Sequence, residues 1–104
     1  MFATVRRYQR VDESRIAEIT TKVDHTLMPQ LSKLPGFSGY YLIESEKGVL
    51  TSFSLFETSA QADESGRIAA KWLKDEKLDA IVPDAPNVTT GTVLAHSTRV
   101  PALV

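Results

Sequence analysis

The chain has 104 residues, 42% of them hydrophobic and 24% charged, with a formal net charge of −1 and no cysteine. That is the size and balance of one ordinary globular domain, read as a single domain over residues 1–104 with a tail from about 97. Charges of both signs are mixed along the chain, which excludes a concentrated basic surface for nucleic acid, and the missing cysteines exclude a disulfide, a thiolate nucleophile and a zinc knuckle.

No apolar run approaches the ~20 residues that span a bilayer. The N-terminal MFATVRRYQR has apolar residues before its charges and no long apolar stretch, unlike a secretory signal. A cytoplasmic protein with no membrane partner is expected.

Met1 to Arg10 alternates imperfectly, Ala3 and Val5 against Phe2, Thr4 and Tyr8, and predicts a strand. Asp12 is a candidate N-cap, and Asp12 with Glu13 suits the positive end of a helix dipole. Ile16, Ile19, Val23, Leu27 and Leu31 then recur at helical spacing. Pro29 lacks a helical donor, so this first helix is expected to kink or restart there and to end at Pro35-Gly36.

Phe37 to Ser45 and Val49 to Phe56 are rich in aromatic and β-branched residues and predict a hairpin. Gly48 closes its three-residue loop, Glu46-Lys47-Gly48, in the left-handed conformation. That register sets Ser45 opposite Val49, Ile43 opposite Thr51, Tyr41 opposite Phe53 and Tyr40 opposite Ser54. One face then carries Phe37, Tyr41, Ile43, Val49, Phe53 and Leu55. The other carries Tyr40, Leu42, Leu50 and Phe56 among Ser38, Ser52 and Ser54.

Thr58 and Gln61 form a capping-box pattern opening a second helix. Its apolar side runs through Ala62, Ala69, Trp72 and Leu73, with Ser65 or Gly66 as a small step. Asp63 with Arg67, and Lys71 with Asp75, are expected charge pairs on the wet side. Pro83 and Pro86 end the helical region, Val88 to His96 predicts the fourth strand, and Val100, Leu103 and Val104 make the tail apolar enough to pack on a partner subunit.

Strand, helix, strand, strand, helix, strand is the α+β ferredoxin-like βαββαβ order. Right-handed crossovers place two helices on one face of a four-stranded antiparallel sheet. The aromatic-richer hairpin face, with Tyr41, is assigned to the helices. Tyr40, Leu42, Leu50 and Phe56 are assigned to the uncovered face. Burying each such side chain is worth roughly 1.5–3 kcal/mol, so a second copy of the sheet is the expected cover and the protein is expected to be a homodimer through these four residues.

The segments LPGFSGYYLI, SFSLFETSAQADES, AAKWL and VTTGTVL resemble the dimeric α/β-barrel superfamily, and within it the antibiotic-biosynthesis-monooxygenase-like domains, over about residues 2–95. The resemblance implies a dimeric α/β barrel with a pocket between helices and sheet of each subunit, lined by aromatic side chains, with Trp72 at such a position. The plainer reading of Trp72 is core packing. The cofactor-free oxygenases of the family carry an Asn one turn before this Trp, where this chain has Ile68. Its haem-degrading branch carries an Asn in the first strand and a His on the second helix, and neither is present here.

Tyr41 and Thr51 join Trp72 as candidate substrate-binding residues, with Tyr8 or Arg7 as further polar groups. His25 falls off the apolar face of the first helix and reads as a surface residue. His96 lies at a strand end. No His or carboxylate cluster has ligand spacing, so neither metal nor cofactor is expected. GFSG lacks the glycine that a nucleophile elbow needs, and TTGT has no phosphate-loop spacing. These features fit a cofactor-independent monooxygenase acting on a small aromatic or quinone-like substrate, whose deprotonated form would itself donate electrons to oxygen. The alternative is a non-catalytic small-molecule-binding or stress-related dimeric domain.

Overall fold

A computed structural model describes residues 1–97 of the chain, and the expected packing of the tail from Val100 to Val104 lies outside the described residues. Four strands, β1 (Phe2–Tyr8), β2 (Phe37–Glu46), β3 (Val49–Phe56) and β4 (Asn87–Thr92), pair antiparallel in the order β2-β3-β1-β4. The first helical region comprises α1 (Ile16–Lys22), a π-turn (Val23–Leu27) and α2 (Met28–Ser32), and the second is α3 (Ser59–Asp75). Both pack on the same sheet face, giving the ferredoxin-like α+β fold that the element order predicts.

Local chemistry explains most boundaries. Asp12 caps a short 3-10 turn by accepting from the Ser14 N–H at 3.1 Å. Pro29 sits in the first turn of α2, where its missing donor costs little. The ladder has already lengthened before it, since the Met28 N–H bonds the Val23 carbonyl in the π-turn. Thr58 and Gln61 form the complete capping box of α3. Ile19, Val23, Leu27 and Leu31 are all buried against Trp72, and Leu78, Ile81 and Val82 after α3 close the end of this core.

The hairpin pairs Ile43 with Thr51, Tyr41 with Phe53 and Tyr40 with Ser54, as expected. Its turn is shorter than expected. Glu46 pairs with Val49, Lys47-Gly48 makes the turn, and a bulge between Glu44 and Glu46 absorbs Ser45. Gly48 has φ +77°, and a Cβ there would come within 3.1 Å of the Val11 carbonyl, whose N–H bonds the Gly48 carbonyl at 3.0 Å. On α3, Arg67 pairs with Glu64 at 2.6 Å instead of Asp63, one of two helix neighbours within its reach. The fourth strand ends at Thr92, short of the expected His96.

The two hairpin faces are reversed relative to expectation. Leu50 and Phe56 are 4% and 0% exposed beneath the helices, and Tyr40 and Leu42 pack against the same core. Tyr41 and Ile43 instead stand 62% and 45% exposed on the open face. Phe37 does face the helices, because a second bulge between Phe37 and Gly39 turns its ring into an edge-to-face contact with Phe56, centroids 5.7 Å apart. The physical reason for the reversal is that both faces are apolar, so alternation fixes which residues share a face and leaves open which face the helices cover.

Candidate functional site

The face under the helices is lined by alternate residues of the central strands and of the edge strand β2: Thr4, Arg6 and Tyr8 on β1, Leu50, Ser52 and Ser54 on β3, Tyr40 and Leu42 on β2. Four of these are buried hydroxyl or guanidinium residues (Thr4, Arg6, Ser52 and Ser54), an unusual complement for a core layer. Arg6, Ser52 and Ser54 border a part-open cavity of about 40 Å³ roofed by Trp72, Ala69 and Leu73 of α3 and by Ile19, Val23 and Leu27, whereas Thr4 borders a groove between α3 and β4. Val23, Tyr40, Leu42 and Leu50 also border an open groove of about 530 Å³ beside α1, with Asp24, His25 and Glu44 at its rim.

Trp72 is 5% exposed, and its indole N–H donates to Thr26 Oγ1 at 2.7 Å. Thr26 in turn donates to the Lys22 carbonyl at 2.6 Å, so the π-turn holds the ring by its polar edge. The two phenols of the cavity are held neutral. Burial pushes the Tyr40 hydroxyl up to about 12, with Tyr8 adding to the rise and Ser52 and Arg6 opposing it. Burial likewise raises Tyr8, against the opposing charge of Arg6. Ser54 Oγ is buried and has no hydrogen-bond partner among the described residues.

Among the sequence candidates, Trp72 reaches this cavity, whereas Tyr41 and Thr51 do not. Tyr41 is on the opposite face, and Thr51 is buried there between its ladder partners Arg7 and Ile43. Tyr40, Leu42 and Leu50, expected at a dimer interface, line the cavity, and Phe56 packs in the same layer. Tyr8 lines it too; Arg7 points the other way by alternation. Arg6 and the two serines escaped sequence reasoning. The signal was present: Arg6 stands at period two between Thr4 and Tyr8, as Ser52 does between Leu50 and Ser54. His25 is exposed as expected, 3.7 Å from Asp24, and His96 is exposed beyond β4. Among the described residues no group of three His, Cys, Asp or Glu side chains could hold a metal ion, and no helix is long and apolar enough to cross a membrane.

No family model and no curated protein sequence matches the chain. Solved structures do. A protein of unknown function from Nitrosomonas europaea superposes with a TM-score of 0.73 at 16% identity, over 96% of this chain and 95% of its own. A monooxygenase of Streptomyces coelicolor, solved in complex with nanaomycin D, gives 0.69 at 13% identity, over 97% and 92%. A dimeric ferredoxin-like protein from an uncultured marine organism gives 0.68 at 16% identity, over 95% and 92%. At these identities the likeness is one of fold, which the chain also shares with putative antibiotic biosynthesis monooxygenases of Nitrosomonas europaea and Caulobacter crescentus.

Proposed function

We propose that the chain forms a homodimer and binds a small aromatic or quinone-like molecule beneath Trp72, on which it acts as a cofactor-independent monooxygenase. The observation that carries this reading is the polar layer inside the core: Arg6, Tyr8, Tyr40, Ser52 and the unpartnered Ser54 converge on one cavity. A core layer built only for stability gains nothing from such groups, whereas ligand pockets place a few polar groups among apolar walls. The likeness in fold to a monooxygenase solved in complex with nanaomycin D supports a small-molecule ligand.

The cavity volume of about 40 Å³ holds roughly two or three water molecules. An aromatic ring therefore needs the partition of Tyr40 and Leu42 to give way into the adjoining groove of about 530 Å³. Neutral phenols there can each donate one hydrogen bond to a ligand oxygen. In the reaction, a phenol and dioxygen become a quinone and water. One oxygen atom enters the ring, the other leaves as water, and all electrons come from the substrate.

The dimer would use the sheet face the helices leave open, where Tyr41 and Ile43 stand exposed beside Val5, Phe53 and Leu55. The match to a dimeric ferredoxin-like protein supports this assembly. Ile68, one turn before Trp72 and packed against the core, supplies no polar atom to the site. That favours, as a second reading, binding without turnover. The test is titration of the single tryptophan's fluorescence with a panel of phenols and quinones, coupled to an oxygen electrode. Saturable quenching with oxygen uptake supports the oxygenase, quenching alone supports the binding domain, and an inert tryptophan across the panel defeats both.

A further inference from the structure

We infer that Arg6 is an anion-recognising residue of the cavity, and that the aromatic ligand presents an ionised oxygen, a carboxylate or the enolate of a hydroxyquinone, to its guanidinium. This rests on the cavity being a ligand site. Arg6 is 9% exposed, yet among the described residues no side-chain hydrogen bond or ion pair engages it. None of its side-chain nitrogens is wholly sealed from solvent, so the guanidinium keeps access to water through the openings it borders and is free to take an anion. None of the cavity's lining residues is a carboxylate. Its polar groups are instead donors suited to an anion: the guanidinium, two phenols held neutral, and the hydroxyls of Ser52 and Ser54.

The helix above is shaped for this guanidinium. Gly66 lies in the interior of α3, where glycine is less favourable than alanine. A Cβ at Gly66 would fall 2.4 Å from Arg6 Nη2. The absent side chain is thus the space in which the guanidinium rests. Arg6 also borders a second groove, of about 450 Å³, between α3 and β4, where Asp63 is the one carboxylate and forms no ion pair with it. The guanidinium therefore stands between that groove and the cavity, and an anion arriving through either opening meets it.

Calorimetric titration with two matched pairs tests the inference: lawsone, anionic at neutral pH, against its neutral O-methyl ether, and benzoate against benzamide. The first pair represents the enolate and the second the carboxylate. At least one anion is expected to bind about tenfold or more tightly than its neutral partner, the scale of a charge-assisted hydrogen bond. Arg6→Gln should erase that preference while the neutral compound still binds, which also reports that the variant is folded. Gly66→Ala keeps the charge but displaces it, and should reduce the preference. Should Arg6→Gln fail to fold, Gly66→Ala and the unmodified protein still decide the matter. Equal affinity within both pairs, or a preference that survives displacement of the guanidinium, overturns the role of Arg6 and leaves the cavity reading intact. Absence of binding by all four compounds overturns both.

Discussion

On the covered face of the sheet, beneath the helices, stand Thr4, Arg6, Tyr8, Ser52 and Ser54 with Tyr40, Leu42, Leu50 and Phe56. The open face carries Ala3, Val5, Tyr41, Ile43, Phe53 and Leu55, with Arg7, Thr51 and, on β4, Asn87 and Thr89 as its polar residues. A sheet with one wet face ordinarily alternates the other way, apolar inside and polar outside. On the proposed reading the two faces serve different occupants: the polar groups under the helices would meet a guest in the core, and the open face would take a second sheet.

The contrast can be broken from either side. The largest effect is expected at Phe56, fully buried and in edge contact with Phe37: Phe56→Ala should cost about 3–5 kcal/mol, read in a denaturant melt. Ile43→Asp, on the exposed face, should leave the subunit folded but halve the light-scattering mass, because it puts a charge into the proposed interface. A folded Ile43→Asp dimer would assign the open face to something other than self-association. Thr26→Val keeps the shape of the π-turn but strips the acceptor from the Trp72 indole N–H, and should cost about 1–3 kcal/mol.

A smaller effect concerns pH. Because the folded protein holds Tyr40 as a neutral phenol with its pKa raised to about 12, this group's contribution is complete below the ordinary phenol range near 10 and is lost as pH rises from there through 12. Melting temperature should therefore fall over that window, and Tyr40→Phe should flatten the fall. Tyr41→Phe, on the exposed face, should leave it unchanged.

The order of elements, most of the hairpin pairing, the Thr58 cap of α3 and the helical core from Ile19 to Leu31 were legible because each depends on neighbours a few residues apart; Asp12 caps only the 3-10 turn before α1. Trp72 was legible as a wall for the same reason. The covered face was not. Both faces carry apolar bulk, so the alternation that groups Tyr41 with Ile43, Phe53 and Leu55 does not say which face the helices cover. The choice is made by how β1, α3 and the hairpin meet in space, which no local pattern records. Arg6 went unseen because a charged residue in a strand reads as solvent-facing until the glycine that accommodates it, sixty positions away at Gly66, is brought beside it.

The adjacent tyrosines allow both halves of the contrast to be read together. The chain has three tyrosines, so fluorine NMR of fluorotyrosine-labelled protein gives few resonances, assignable with single Tyr→Phe variants. The account predicts that the Tyr41 signal shifts with protein concentration and ignores an added hydroxyquinone, whereas Tyr40 and Tyr8 shift with the hydroxyquinone and ignore concentration. Concentration-dependent shifts at Tyr40, or a Tyr41 signal that follows the ligand alone, would contradict the assignment of the covered face to a guest and the open face to a partner.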